Sequence, residues 1–139
     1  MINRDLILKK LDSLRGYLKE LETFKDLSFE EYQGKISNRR SVERLIQLLV
    51  ECASDINAHI LAKKEKIAVE DYRSSFLLMS ENDLLNRDLS EGLSKAAGMR
   101  NILVHEYEKI DDQIVFDTIP LSLFAFNKYM KEILGLLKN

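Results

Sequence analysis

Apolar residues recur every three or four positions through most of the chain, and this period limits the folds open to it. In residues 4–24 the apolar residues of one series are Ile7, Leu11, Leu14, Leu18 and Leu21. Side chains at that spacing share one face of an α-helix, which turns by about 100° per residue. Five glycines and one proline in 139 residues leave little material for the turns of a sandwich or barrel. The sequence therefore predicts an all-α protein.

Further helices follow the first one along the chain. Ser28 and Glu31 have the spacing of a capping box, which predicts a short helix ending before Gly34. A second long helix is predicted from about residue 38 to 63, because its apolar period meets no glycine or proline. The stretch "DYRSSFLLMSEN" predicts a short helix, and another leads into residues 96–111. Together with a last helix, these make a bundle of about four to six helices in one domain, residues 1–139.

The last helix is expected to begin near Thr118. Pro120 would then lie in its first turn, where a missing backbone N–H costs little. The apolar faces of the long helices are broad, and they would gain burial against a second copy of the chain, which predicts a homodimer. A single bundle that buries all of these faces within one chain is the alternative, and periodicity does not decide between them.

Cysteine content and charge indicate where such a chain works. The single Cys52 cannot form an internal disulfide, and charged residues interrupt the first 14 positions, unlike a signal peptide, so a cytoplasmic setting is expected. No uninterrupted apolar run approaches the roughly 18 residues of a membrane span, and no membrane role is expected. The net charge of −2 gives the protein as a whole no electrostatic attraction for RNA, which is a polyanion. RNA binding would therefore need a local basic patch.

Two groups of cations could form such a patch, one at each end of the second long helix. They are Lys35, Arg39, Arg40 and Arg44 at its start, and Lys63, Lys64 and Lys66 at its end. The simpler interpretation of either group is that its cations cover the solvated surface of a helix and its C-terminal turn. The sequence contains no glycine-rich phosphate loop and no cysteine or histidine pair at zinc spacing, so no metal site is predicted. His59 is interpreted as an ordinary residue of the helix surface or core edge.

The stretch "MRNILVHEY", residues 99–107, places the polar residues Arg100, His105 and Tyr107 around a short apolar run, residues 102–104. On a straight helix the side chains of Arg100 and His105 point about 140° apart. Either the helix ends or bends near His105, or one site combines the arginine of one subunit with the histidine of another. An imidazole and a guanidinium suit phosphodiester cleavage without a metal. An arginine paired with Glu106 or Glu108, and a histidine capping a helix end, would account for the same residues structurally.

The longer run "AAGMRNILVHEYEKID" resembles the signature of HepT-like proteins in the HEPN superfamily, and the resemblance extends over the two long helices, "EDYRSSFLLMSENDLL" and "DDQIVFDTI". It implies a HEPN-type helical bundle that dimerises with the motif at an interface cleft. It also implies a toxin of a prokaryotic toxin–antitoxin pair, a metal-independent ribonuclease with tRNA among its substrates. Arg100 and His105 become the catalytic pair, and Asn101 a residue that orients the RNA or the arginine.

The resemblance further implies a partner, the minimal nucleotidyltransferase antitoxin MntA. That partner uses ATP to transfer AMP to the motif tyrosine, here Tyr107, so the chain itself needs no cofactor. A phosphate and a nucleoside beside Arg100 and His105 would occupy the place of the substrate phosphate and switch the toxin off. A non-catalytic helical adaptor that binds a nucleotidyltransferase is the alternative function. A tyrosine that packs against the core, with its hydroxyl at the surface, is the structural alternative for Tyr107.

Overall fold

The computed structural model describes residues 1–138, and within them every regular element is helical. The six α-helices and their bounds are α1 Arg4–Glu22, α2 Phe29–Gly34, α3 Ile36–Glu65, α4 Tyr72–Glu81, α5 Arg87–His105 and α6 Asp112–Leu137. One 3₁₀ turn, Tyr107–Lys109, joins α5 to α6. The predicted all-α fold and its helix number are confirmed.

Polar side chains fix where most of the helices begin. Asn3, Asp71 and Asn86 each accept a hydrogen bond from a backbone N–H in the first turn of α1, α4 and α5. The capping box predicted for α2 is confirmed: the Glu31 N–H donates to Ser28 Oγ at 3.1 Å, and the Ser28 N–H donates to Glu31 Oε1 at 2.9 Å.

The start of α6 was predicted wrongly. The helix begins at Asp112, six residues before Thr118, and Pro120 lies inside it. The Asp111 carboxylate accepts hydrogen bonds from the N–H groups of Gln113 at 3.0 Å and Ile114 at 3.2 Å, which starts the helix early. The turns before the proline also bury apolar side chains, Val115 and Ile119. This burial offsets the hydrogen bond that Pro120 cannot donate.

The core forms around α3, which packs against every other α-helix. Buried side chains of all six helices join in one cluster, including the whole predicted series of α1. By length and composition alone α3 could cross a membrane, but 61% of its apolar stretch is buried within the bundle, which is typical of a central core helix. Charged residues such as Glu51 and Asp55 interrupt that stretch. The arrangement places the end of α5, with the predicted motif, against the middle of α3.

Candidate functional site

Arg100 is held by residues of α3 and α4 as well as by its neighbour Asn101. Its Nε and Nη2 donate to Glu51 Oε2 at 2.9 and 2.8 Å, and its Nη1 donates to Asn101 Oδ1 at 3.2 Å. The guanidinium carbon lies 4.4 Å from the centre of the Tyr72 ring. The Arg100 side chain is 11% exposed. The predicted structural pairing with Glu106 or Glu108 is therefore wrong, and Glu106 pairs with Lys109 instead, at 3.0 Å.

A buried polar network fixes the backbone beside the Tyr72 ring. The Ser75 hydroxyl donates to the Tyr72 carbonyl at 2.8 Å and accepts from Ser54 and Asn57. The single hydroxyl proton of Tyr129 is shared between Asn57 Oδ1 at 2.6 Å and the Ala53 carbonyl at 3.0 Å. Because these groups are buried and paired, α3, α4 and α6 are held in one arrangement. The aromatic face beneath Arg100 is therefore fixed in place.

His105 is the last residue of α5, so the predicted end of the helix at this position is confirmed. The Glu106 N–H donates to the Ile102 carbonyl at 3.0 Å and closes the last turn. The His105 side chain is exposed and makes no hydrogen bond to any residue in 1–138. His105 lies five positions after Arg100 on the helix, about 7.5 Å further along the axis. In a single chain the guanidinium of Arg100 and the imidazole of His105 therefore lie near the same end of α5 but do not contact each other.

Asn101 lies beside Arg100, and both line a shallow pocket of about 440 Å³ between α3, α4 and α5. Tyr72, Asp55 and Asp71 are also in its wall, whereas His105 and Tyr107 are not. Asn101 accepts a hydrogen bond from Arg100 Nη1, which is the contact expected of a residue that orients the arginine. Of the predicted site residues, Arg100 and Asn101 therefore line this pocket together, and His105 and Tyr107 lie outside it.

Tyr107 is 51% exposed and lies in the 3₁₀ turn that follows α5. The ring does not belong to the buried core, contrary to the structural alternative. Arg40 of α3 covers it, with the guanidinium carbon 4.8 Å from the ring centre. Arg40 is itself held by Glu43, a carboxylate that is 6% exposed. Burial raises the pKa of Glu43, and the nearby Arg40 guanidinium opposes that shift.

The two basic groups differ in what their side chains contact. At the start of α3, Arg39 donates to the Gln33 carbonyl and lies 3.9 Å from an Asp112 oxygen, while Arg40 binds Glu43. At its end, Lys63, Lys64 and Lys66 are exposed and take part in no ion pair with residues 1–138. Of the first group, only Arg40 contacts Tyr107, and the second group is a solvated helix end, as the simpler interpretation predicted.

The interpretation of His59 as a residue of the core edge is confirmed. Its Nε2 accepts a hydrogen bond from the Asn3 N–H at 2.9 Å. Burial lowers its pKa, and nearby positive charge acts in the same direction.

Burial also raises the pKa of Cys52 to about 11, so this thiol is protonated at neutral pH. Among residues 1–138, no three His, Cys, Asp or Glu side chains come together as a group able to hold a metal ion.

Sequence reasoning did not find Glu51 or Tyr72, the two residues that hold Arg100. A signal for Glu51 was present, since an acid inside the apolar run "LLVECA" of a core helix needs a buried partner. No such signal marks Tyr72, because a tyrosine in the first turn of a short helix is ordinary. Its contact with Arg100 exists only because α4 and α5 pack against each other.

This all-α bundle, with an arginine and a histidine at the end of one helix and a half-exposed tyrosine two residues on, has the fold of a HEPN toxin. A HEPN toxin of Shewanella oneidensis, solved tri-AMPylated in complex with its MNT antitoxin, superposes with a TM-score of 0.87. The two share 26% identity over 95% of this chain and 98% of that one. The model of the HepT-like ribonuclease family matches residues 14–133, and the chain belongs to that family.

Two curated relatives agree on nuclease function but differ in the RNA for which they are named. The tRNA nuclease HepT of Aphanizomenon flos-aquae is 31% identical over 128 residues, which cover 92% of this chain and 87% of the relative. The mRNA nuclease HepT of Shewanella oneidensis is 28% identical over 130 residues, covering 93% and 96% respectively. The expected family membership is confirmed.

Proposed function

We propose that this protein is the toxin of a HEPN/MNT toxin–antitoxin pair, a ribonuclease that cleaves RNA, with tRNA as the first substrate class to test. It works in the cytoplasm as a homodimer and needs no metal or other cofactor of its own. The observation that carries this proposal is the placement of Arg100 and His105 at one end of α5, the first fixed by Glu51 and Tyr72 and the second exposed. The relatives named as tRNA and mRNA nucleases support the reaction class.

The chemistry follows from these two groups. A neutral imidazole takes the proton of an RNA 2′-hydroxyl, whose oxygen attacks the adjacent phosphorus, and the bond to the 5′-oxygen breaks. A protonated imidazole from the second subunit returns a proton to that leaving oxygen. Arg100 has five N–H donors, and its bonds to Glu51 and Asn101 use three of them. The other two are left to stabilise charge on the phosphate oxygens.

The direct test is cleavage of total tRNA by the purified chain in EDTA. We expect discrete fragments, because the proposed proton transfers use imidazole and guanidinium groups and no metal ion. Full-length tRNA after prolonged incubation, from a protein whose circular dichroism spectrum is helical, would contradict the proposed activity. Fragments that appear only when Mg²⁺ is added back would contradict metal independence alone.

Dimerisation is supported by an exposed apolar face beside the motif. Ile114, Leu121 and Phe124 of α6 are 55%, 68% and 71% exposed, and an apolar groove of about 500 Å³ lies between α6 and α5. Met99, one residue before Arg100, lines this groove. Large exposed apolar patches on soluble proteins mark interaction sites, and this one adjoins the helix that carries both proposed catalytic groups. Its burial against a second copy would bring two motifs together.

Replacement of Leu121 by Glu is therefore expected to shift the chain from dimer to monomer and to reduce RNA cleavage with it. A carboxylate in an apolar interface must be desolvated without a partner, which costs several kcal/mol. Light scattering at micromolar concentration measures the mass of each variant. Ser13→Glu, on the exposed face of α1, adds the same charge elsewhere and should leave the dimer intact. A monomeric wild type would contradict the composite site.

The proposed partner is a MntA-type nucleotidyltransferase antitoxin that transfers AMP from ATP to Tyr107. The exposure of Tyr107 supports its role as the acceptor, and the tri-AMPylated Shewanella oneidensis toxin supports the type of modification.

One observation favours the alternative function, a non-catalytic adaptor for a nucleotidyltransferase. The guanidinium of Arg100 already has intrachain partners and is nearly buried, as a purely structural arginine would be. Loss of activity on substitution of His105 separates the two functions.

A further inference from the structure

Arg40 and Tyr107 come together although 67 positions separate them in the sequence. Arg40 lies in the second turn of α3, and Tyr107 lies in the turn between α5 and α6. The guanidinium carbon is 4.8 Å from the ring centre, within the range of a cation–π contact. The arginine side chain is 45% exposed and the tyrosine residue 51%, so both face solvent at the same place.

The way Glu43 binds Arg40 leaves most of the guanidinium unused. Arg40 Nη1 alone donates to the carboxylate, at 3.1 Å to Oε1 and 3.0 Å to Oε2. Nε and Nη2 have no hydrogen-bond partner within residues 1–138. A guanidinium fork binds two oxygens of one phosphate when two of its nitrogens are available. Glu43, anchored in the core, therefore fixes a fork that presents free donors beside the phenol ring.

Arg39, the other arginine at this end of α3, is already engaged. It donates to the Gln33 carbonyl and lies 3.9 Å from a carboxylate oxygen of Asp112. Its side chain is 22% exposed, half as much as that of Arg40. The two neighbours therefore have different roles: Arg39 ties α3 to α2 and to the start of α6, and Arg40 faces the tyrosine and solvent.

We propose that Arg40 is the phosphate-docking residue for the nucleotide that is transferred to Tyr107, a positioning residue for the modification and a binding group for its product. This inference rests on the proposed role of Tyr107 as the AMP acceptor. In the transfer, the phenolic oxygen of Tyr107 forms a bond to the α-phosphorus of ATP, the bond from that phosphorus to the β-phosphate bridging oxygen breaks, pyrophosphate leaves, and the phenolic proton passes to solvent. Arg40 binds non-bridging oxygens of the α-phosphoryl group and of the resulting phosphodiester.

The experiment measures AMP addition to the purified chain by intact-mass spectrometry, with purified MntA-type antitoxin, ATP and Mg²⁺. Arg40→Gln alone would leave the buried Glu43 without its cation and could unfold the start of α3. The informative comparison is therefore between Glu43→Gln and the double variant Arg40→Gln, Glu43→Gln, in which no buried charge is left unpaired. Arg44→Gln, one turn further along the exposed face of α3, removes the same charge and is the matched control.

The double variant is expected to add the first AMP roughly 10-fold to 100-fold more slowly than Glu43→Gln, the effect of losing charge-assisted hydrogen bonds to a phosphate. Arg40→Lys should recover part of the rate, because an ammonium keeps the charge without the fork. A role for Arg40 in packing the ring alone would give no such recovery by lysine, whose stacking is weaker. Arg44→Gln should react like the wild type.

Two outcomes would overturn the inference, and they are distinguishable from each other. If the wild type gains AMP at Tyr107 and the double variant does so at the rate of Glu43→Gln, Arg40 does not dock the phosphate and the proposed function stands. If the wild type gains no AMP, or gains it equally when Tyr107 is replaced by Phe, the proposed acceptor site is wrong and the role of Arg40 falls with it.

Discussion

Replacement of His105 by Ala is expected to lower the rate of tRNA cleavage by a factor of about 10² to 10⁴, the usual contribution of a positioned acid–base group. In a two-fold dimer the substitution removes both imidazoles, so both proposed proton transfers are lost together. His105 is exposed at the end of α5 and makes no hydrogen bond within residues 1–138, so the fold should tolerate the change. Initial rates of fragment formation in EDTA measure the effect.

The other histidine of the chain, His59, supplies a matched control. His59 accepts a hydrogen bond from the Asn3 N–H and lies at the far end of α3 from the first basic group. In His59→Gln the amide oxygen can accept the same bond, and the rate of cleavage should equal that of the wild type. If His105→Ala and His59→Gln both cleave tRNA at the wild-type rate, the imidazole of His105 is not catalytic. If neither the wild type nor the variants cleave, the adaptor function is favoured.

Substitution of His105 tests the mechanism more directly than substitution of Arg100. Removal of the Arg100 guanidinium would leave Glu51 without its cationic partner, with only the hydrogen bond from Gln47 Nε2, in a site where the arginine is only 11% exposed. An unpaired, partly buried carboxylate destabilises a fold by itself, so lost cleavage in Arg100→Ala would mix a chemical effect with a structural one. The double variant Arg100→Gln, Glu51→Gln removes both charges and is the form in which the arginine should be tested.

Replacement of Tyr107 by Phe is expected to abolish AMP addition completely, because the nucleophilic oxygen is the only group removed. The ring stays, and with it the contact with Arg40, so the 3₁₀ turn should keep its conformation. Intact-mass spectrometry after incubation with MntA-type antitoxin and ATP measures the modification. Tyr17→Phe, in the partly buried part of α1, removes a hydroxyl elsewhere and should be modified like the wild type.

The same variant carries a consequence for regulation. If AMP on Tyr107 occupies the place of the substrate phosphate beside Arg100 and His105, Tyr107→Phe should go on cleaving tRNA after incubation with antitoxin and ATP, whereas the wild type should stop. Cleavage by the wild type that is unchanged after full modification would show that AMP does not act by occupying the site. Modification of the Phe variant to the wild-type level would place the acceptor on another residue.

The local parts of the fold were predictable from the sequence. The series from Ile7 to Leu21 is buried on α1 as its period predicts, and the Ser28–Glu31 box starts α2. Both depend on neighbours within one or two turns of helix. The start of α6 was misplaced because the rule that favours proline in a first turn competed with an aspartate cap at Asp111, and the cap together with buried Val115 and Ile119 outweighed the proline.

The candidate site was predictable only in part. The positions of Arg100, Asn101, His105 and Tyr107 came from the motif, and the 140° between arginine and histidine followed from helix geometry. The partners of these residues did not. The apolar neighbours of Glu51 indicate that it has a buried partner, but Arg100 is 49 positions away and nothing in the sequence identifies it as that partner. Arg40 was recognised as one cation in a basic group, without its contact to Tyr107.

The helical period, the Ser28–Glu31 capping box and the residues of the motif follow from the sequence, because all of these depend on interactions within a few residues along the chain. Only the packed structure shows that Glu51 and Tyr72 hold Arg100, that Arg40 covers Tyr107, and that His105 is exposed without a hydrogen bond to any of residues 1–138. These contacts depend on how α3, α4 and α5 pack against one another. Packing brings together residues that are far apart in sequence, and their positions in the sequence do not predict the contact.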